Sequence, residues 1–81
     1  MPGMATPAEL SRLDRLNGRE AEVLFLQLMT RHHIGGVEMA RAYLAISADS
    51  ALTPLATGIV TSQEYELDLM RSLLRARQAT A

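Results

Sequence analysis

The sequence contains no cysteine and no tryptophan, and it has only one phenylalanine and two tyrosines. Without cysteine, neither a disulfide framework nor a zinc–thiolate site is possible. No apolar run approaches the ~20 residues that a membrane-spanning helix requires. The N-terminus also lacks the charged start and the apolar stretch of a signal peptide, which by itself predicts a cytoplasmic protein.

An excess of one charge is also missing, because the formal net charge is only −1. Proteins that bind nucleic acid through its phosphates carry a basic stripe. The sequence has none, so no nucleic-acid partner is predicted. Arginines cluster only near the C-terminus, as Arg71, Arg75 and Arg77, where cations complement the dipole of a helix. We interpret them as structural rather than as a site for an anionic partner.

The remaining composition favours packed helices, because 48% of the 81 residues are hydrophobic and few of them are aromatic. A chain of this length is one small domain or half of a larger one. We predict an all-α fold in a single domain, residues 1–81, with helices at about 7–16, 19–47 and 54–77. The two long helices are joined by a short turn and therefore form an antiparallel hairpin.

Residues typical of helix ends mark these boundaries. Thr6 as N-cap, with Glu9 three residues later, predicts a capping box at the first helix. Asn17-Gly18 predicts its end, because both residues tolerate a left-handed backbone. Thr53-Pro54 predicts the N-cap and the first position of the third helix, after a short turn at 48–52.

Gly35 and Gly36 lie inside the second helix, where a glycine costs ~1 kcal/mol relative to alanine. Two interpretations compete: the helix breaks after the histidines, or the glycines let another helix approach closely. The apolar period continues in phase through Val37, Ala40 and Leu44. We therefore predict a continuous helix.

Methionine and histidine recur on the two long helices, and thioether and imidazole are donors that copper, especially Cu(I), selects. Adjacent histidines on a helix point about 100° apart. Two partial sites, or one ligand and one supporting histidine, therefore fit better than a single four-ligand cage. The candidate metal ligands are Met29, His32, His33, Met39 and Met70, with Glu22 and Glu66 as carboxylate ligands or as hydrogen-bond partners of a histidine.

Each candidate also has a purely structural interpretation. Methionines at helical spacing commonly fill cores, and the two glutamates suit solvated helix edges with ion pairs. Gln63, in the middle of the apolar row of the third helix, indicates a buried hydrogen bond or proximity to a site, and we interpret it as a hydrogen-bonding core residue rather than as a ligand. A helical interaction or oligomerisation module without metal is therefore the alternative to copper binding.

Three segments resemble a known family. The run 29–40 holds a methionine, two histidines, a small-residue pair and Met-Ala, and the run 63–70 reads Gln-x-x-Glu-x-x-x-Met. Together with the opening run 1–6, they resemble the domain of unknown function 305 family over nearly the whole chain.

The resemblance implies a ferritin-like helical fold and a bacterial protein exported from the cytoplasm. Some members of that family are associated with copper binding and tolerance. Many contain two such units, and this chain looks like the C-terminal one alone. It departs from the family pattern at Glu22, where aspartate is usual, at Ala21, where phenylalanine often stands, and at Gly36, where the second small residue is usually alanine.

No enzyme is predicted, because the sequence lacks both the Glu-x-x-His motif of di-iron oxidases and the His-Glu-x-x-His motif of zinc hydrolases. One short helix cannot cover the apolar faces of a long hairpin. We therefore predict a homodimer in which two copies complete a four-helix bundle. The functional hypothesis is copper binding or sequestration without turnover.

Overall fold

The computed structural model describes residues 3–47 and 50–81, and its secondary structure over these residues is helical. The helices are α1 (Pro7–Arg15), α2 (Gly18–Ile46) and α3 (Thr53–Ala76). Helices α2 and α3 pack along each other in an antiparallel hairpin, and the short α1 packs against α2. The predicted all-α hairpin with a short N-terminal helix is confirmed.

A capping box begins α1, as predicted from Thr6 and Glu9. The backbone N–H of Glu9 donates to Oγ1 of Thr6 at 3.1 Å, and the backbone N–H of Thr6 donates to Oε1 of Glu9 at 2.8 Å. The Glu9 carboxylate also accepts from Nη1 of Arg31 at 2.8 Å. These hydrogen bonds, the one from Arg31 first, lower the pKa of Glu9 to about 2. One side chain thus caps α1 and ties it to α2.

The predicted end of α1 is only partly correct. Helix α1 ends at Arg15, its C-cap Leu16 is extended, and Asn17 is an extended N-cap of α2 rather than a left-handed stop. Gly18 adopts the left-handed backbone, with φ +60°, as the first residue of α2. A side chain at this position would be strained, because a positive φ is costly for residues other than glycine.

The predicted start of α3 is wrong by one residue. Thr53 is the first helical residue and Leu52 is the N-cap, which has no side-chain oxygen to accept a hydrogen bond. The Thr53 hydroxyl instead accepts from the backbone N–H of Ser50 at 3.1 Å. Residues 48 and 49 of the predicted turn lie outside the described residues.

Helix α2 runs unbroken through Gly35 and Gly36, as predicted. The interpretation that glycine permits close approach of another helix fits Gly36, where a Cβ would lie 2.5 Å from Oε1 of Gln63 on α3. Gly35 permits the chain around Gly3 to approach α2 closely, because a Cβ added to Gly3 would lie 3.3 Å from the Cα of Gly35. We call residues 3–6, which cross α2 at this point, the N-terminal segment.

The core between α2 and α3 is small. Its central cluster contains Leu26, Val37, Leu67, Met70 and Leu74, with Leu74 only 1% exposed. Helix α1 has nine residues and is about 14 Å long at 1.5 Å per residue, so it covers only part of a hairpin whose longest dimension is 45 Å.

Much apolar surface therefore remains open to solvent. None of the described helices is long and apolar enough to span a bilayer. The large exposed apolar residues are Met4, Leu10, Phe25, Ile34, Met39, Ile46, Leu52, Leu55, Tyr65, Leu69 and Leu73.

Candidate functional site

The two adjacent histidines occupy different environments. His33 is buried between the long helices, and His32 is exposed to solvent. Their ring centroids lie 6.4 Å apart with an interplanar angle of 72°. The structure thus separates the predicted donors into a buried group around His33 and an open group around His32.

Both ring nitrogens of His33 have oxygen partners. Nδ1 lies 2.9 Å from the backbone carbonyl of Met29, and Nε2 lies 2.5 Å from Oε1 of Glu66 on α3. A backbone carbonyl only accepts, so Nδ1 donates in the contact with Met29 and offers no lone pair to a metal ion. Nε2 is engaged with Glu66, and through this contact His33 joins α2 to α3.

The thioethers near His33 are part of the core. Met70 is 8% exposed and Met29 is partly buried against the central cluster. Oγ1 of Thr30, which donates to the backbone carbonyl of Leu26 at 2.7 Å, lies 3.9 Å from Sδ of Met70. Both methionines fill space between the helices, which is how flexible thioether side chains commonly behave in cores.

Glu22 lies far from both histidines. Its carboxylate is 3.4 Å from Nε of Arg77, in an ion pair that joins the start of α2 to the residue after α3. His33 stands eleven residues further along the same helix, or about 16 Å along its axis at 1.5 Å per residue. The structure therefore does not bring Glu22 together with the other predicted donors.

The open group lies in a groove between α2, α3 and the N-terminal segment. This groove, which we call the Met–His groove, has a volume of about 460 Å³. Its walls carry Met4, His32 and Met39, and the two thioether residues are 54% and 52% exposed. No hydrogen bond to a ring nitrogen of His32 is found within 3–47 and 50–81. One imidazole and two thioethers are therefore accessible to an ion in solution.

The remaining lining of the Met–His groove is largely apolar. Gly35, Gly36, Ile59, Leu55 and Gln63 contribute to its surface. Oε1 of Gln63 is buried and has no hydrogen-bond partner among the described residues, so the hydrogen bond predicted for this amide oxygen is not found there.

A metal site built only from nitrogen and oxygen side chains has no candidate in the described part of the chain. No three histidine, aspartate or glutamate side chains there lie close enough together to hold one ion. Three donor side chains line the Met–His groove only when thioethers are included. This donor set fits a soft ion such as Cu(I) and suits hard ions poorly.

Met4 is the residue of this group that sequence reasoning missed. Nothing local to positions 3–6 indicates that they fold back across the middle of α2. Gly3 and Gly35 are two small residues that permit a close crossing. Their pairing is recognised only from the tertiary structure.

Comparison with known proteins identifies a sequence family and a closely similar solved structure. Residues 1–74 match the sequence model of a family described as a domain of unknown function, DUF305. A crystal structure of a DUF305 protein from Streptomyces coelicolor, described as secreted, is 50% identical in sequence and superposes with a TM-score of 0.91. The alignment covers 99% of this chain and 49% of that one, so the chain spans about half the length of the Streptomyces protein. No curated protein matches the chain.

Proposed function

This chain belongs to the DUF305 family, and we propose that it binds copper, as Cu(I), through methionine and histidine side chains and sequesters it without catalysis. The observation that carries the proposal is the Met–His groove. There the His32 ring and the Met39 thioether lie on one surface, both exposed and without competing partners among the described residues.

The chemistry of the groove favours a soft ion of low charge. Thioether and imidazole are neutral donors that select Cu(I) over Mg²⁺ or Ca²⁺, which prefer oxygen. The apolar lining raises the cost of transferring an ion from water. That cost is lower for a singly charged ion than for a doubly charged one.

The buried group has a supporting role in this proposal. The contact of His33 with the Met29 carbonyl orients the ring within α2, and its contact with Glu66 joins α2 to α3. The second contact restricts the rotation of α2 against α3, and thereby the positions of His32 and Met39 on the groove wall. Ligation by His33, Met29, Met70, Glu22 or Glu66 stays a prediction, and for His33 it would require exchange of a hydrogen bond for a metal bond.

A competition titration tests the proposal. The purified chain, reduced and free of oxygen, is titrated with Cu(I) against a coloured Cu(I) chelator. We expect tight binding by the wild type and a loss of at least about tenfold in affinity for His32→Gln and for Met39→Leu. Ile34→Leu, on an exposed part of α2 outside the groove, is the control and keeps wild-type affinity. A folded wild-type chain that leaves all copper with the chelator would contradict the proposal.

We also propose that two copies associate and that the protein acts outside the cytoplasm. Association is supported by the exposed apolar side chains and by a second groove of about 450 Å³, which Phe25 and Leu73 line. Export is supported by the description of the Streptomyces relative as secreted. Light scattering of the purified chain tests association, since a mass of one 8.9 kDa chain would exclude it under those conditions.

The second candidate function, a helical interaction module without metal, rests on the same apolar surface. It predicts that His32→Gln reduces the mass in light scattering, whereas copper binding predicts an unchanged mass and reduced Cu(I) affinity.

A further inference from the structure

The N-terminal segment crosses α2 at a point that only glycine allows. Gly3 has φ +86°, and a Cβ there would lie 2.7 Å from the backbone oxygen of Arg31 and 3.3 Å from the Cα atoms of His32 and Gly35. Both the backbone conformation and the space exclude larger residues at position 3. This close crossing fixes the position of the N-terminal segment along the axis of α2, directly beside His32.

Met4 follows this crossing immediately and is held from both sides. On its N-terminal side, Gly3 crosses α2 closely. On its C-terminal side lies the capping box of Thr6 and Glu9, and Glu9 accepts a hydrogen bond from Arg31 on α2. The Met4 side chain lines the Met–His groove yet remains 54% exposed. Burial of apolar area therefore accounts for only part of its placement there.

We propose that Met4 is the third ligand of the copper ion, together with His32 and Met39, so that Cu(I) fastens the N-terminal segment onto α2. This inference rests on the proposed function. Two thioethers and one imidazole form a neutral donor set with three bonds to a soft monovalent ion, and no electron is transferred on binding. Because Met4 belongs to the segment and the other two ligands belong to α2, the metal joins elements that otherwise meet through the Gly3 crossing and the Glu9–Arg31 pair.

The competing role for Met4 is that of an apolar cover over the groove. Leucine separates the two roles, because it keeps the apolar volume of methionine and removes the sulfur. Met4→Leu is therefore the decisive variant, with Met39→Leu as the comparison and Ile34→Leu as the control outside the groove.

Two measurements are made on each variant of the 81-residue chain. Competition with a chelator gives the Cu(I) affinity, and X-ray absorption at the copper edge identifies the atoms around the ion. We expect Met4→Leu to weaken Cu(I) binding about tenfold and to reduce the sulfur neighbours from two to one. Helix content measured without copper should stay unchanged. Gly3→Ala removes no donor but should also weaken Cu(I) binding. The added Cβ would displace the N-terminal segment from α2, and Met4 would move with it.

The outcomes separate this inference from the proposed function. If Met4→Leu keeps wild-type affinity and an unchanged sulfur shell while Met39→Leu loses affinity, Met4 is only a cover and the inference is wrong, but the copper site remains. If the wild type binds no Cu(I), both are wrong.

Discussion

Replacing Glu66 by alanine removes the carboxylate that faces Nε2 of His33 in the interior of the hairpin. The two atoms are 2.5 Å apart, and the His33 side chain is 11% exposed while that of Glu66 is 51% exposed. A hydrogen bond to a charged group contributes about 1.5–3 kcal/mol when well shielded. Solvent screening on the Glu66 side lowers this value. We therefore expect Glu66→Ala to reduce the free energy of unfolding by about 1–2 kcal/mol.

A matched control lies one half-turn away on the same helix. Glu64 pairs with Arg41 at 2.7 Å, but both side chains are about half exposed, at 48% and 58%. Surface pairs of this kind contribute about 0–1 kcal/mol, so Glu64→Ala should cost less than Glu66→Ala. Glu66→Gln should lie between them, because its amide oxygen can still accept from Nε2 but carries no charge.

Urea denaturation followed by circular dichroism measures the three differences in free energy of unfolding under identical conditions. Equal destabilisation by Glu66→Ala and Glu64→Ala would refute the reasoning, since burial of His33 would then have no effect on the strength of the pair.

Two further predictions concern the core and the attachment of α1. Leu74→Ala removes the most buried of the described core side chains, at 1% exposure, and should reduce the free energy of unfolding by about 2–5 kcal/mol in the same assay. Glu9 has its pKa lowered from 4.5 to about 2, so its ionised form stabilises the folded state. That contribution is present above pH 4.5 and is lost as the pH falls towards about 2. Stability measured across this range should therefore fall more steeply for the wild type than for Glu9→Gln, and parallel curves would show that the Arg31 pair does not stabilise the fold.

The sequence was sufficient for features set by local chemistry. The Thr6–Glu9 capping box depends on residues three apart, and the continuity of α2 across Gly35 and Gly36 follows from an unbroken apolar period. The divergence of His32 and His33 follows from helix geometry alone. The start of α3 was misplaced because the Thr53 hydroxyl can accept from Ser50 as well as cap a helix, and local rules do not decide between the two.

Features set by the packing of distant segments could not be predicted in the same way. The approach of Glu66 to His33 depends on the register of α2 against α3. The placement of Met4 beside His32 depends on Gly3 crossing α2 at Gly35. A one-dimensional pattern shows which side chains share a helix face, but it does not show which other segment meets that face. For this reason the sequence grouped Met29 and Met70 with the donors, whereas the structure places them in the core.

The most direct test of copper binding is a Cu(I) titration of the folded wild-type chain against a competing chelator, with mass followed by light scattering. The account predicts that the chain takes one Cu(I) per groove from the chelator and remains folded. A chain with intact helices that takes no Cu(I) at any chelator concentration would contradict it, and the Met–His surface would then serve packing alone.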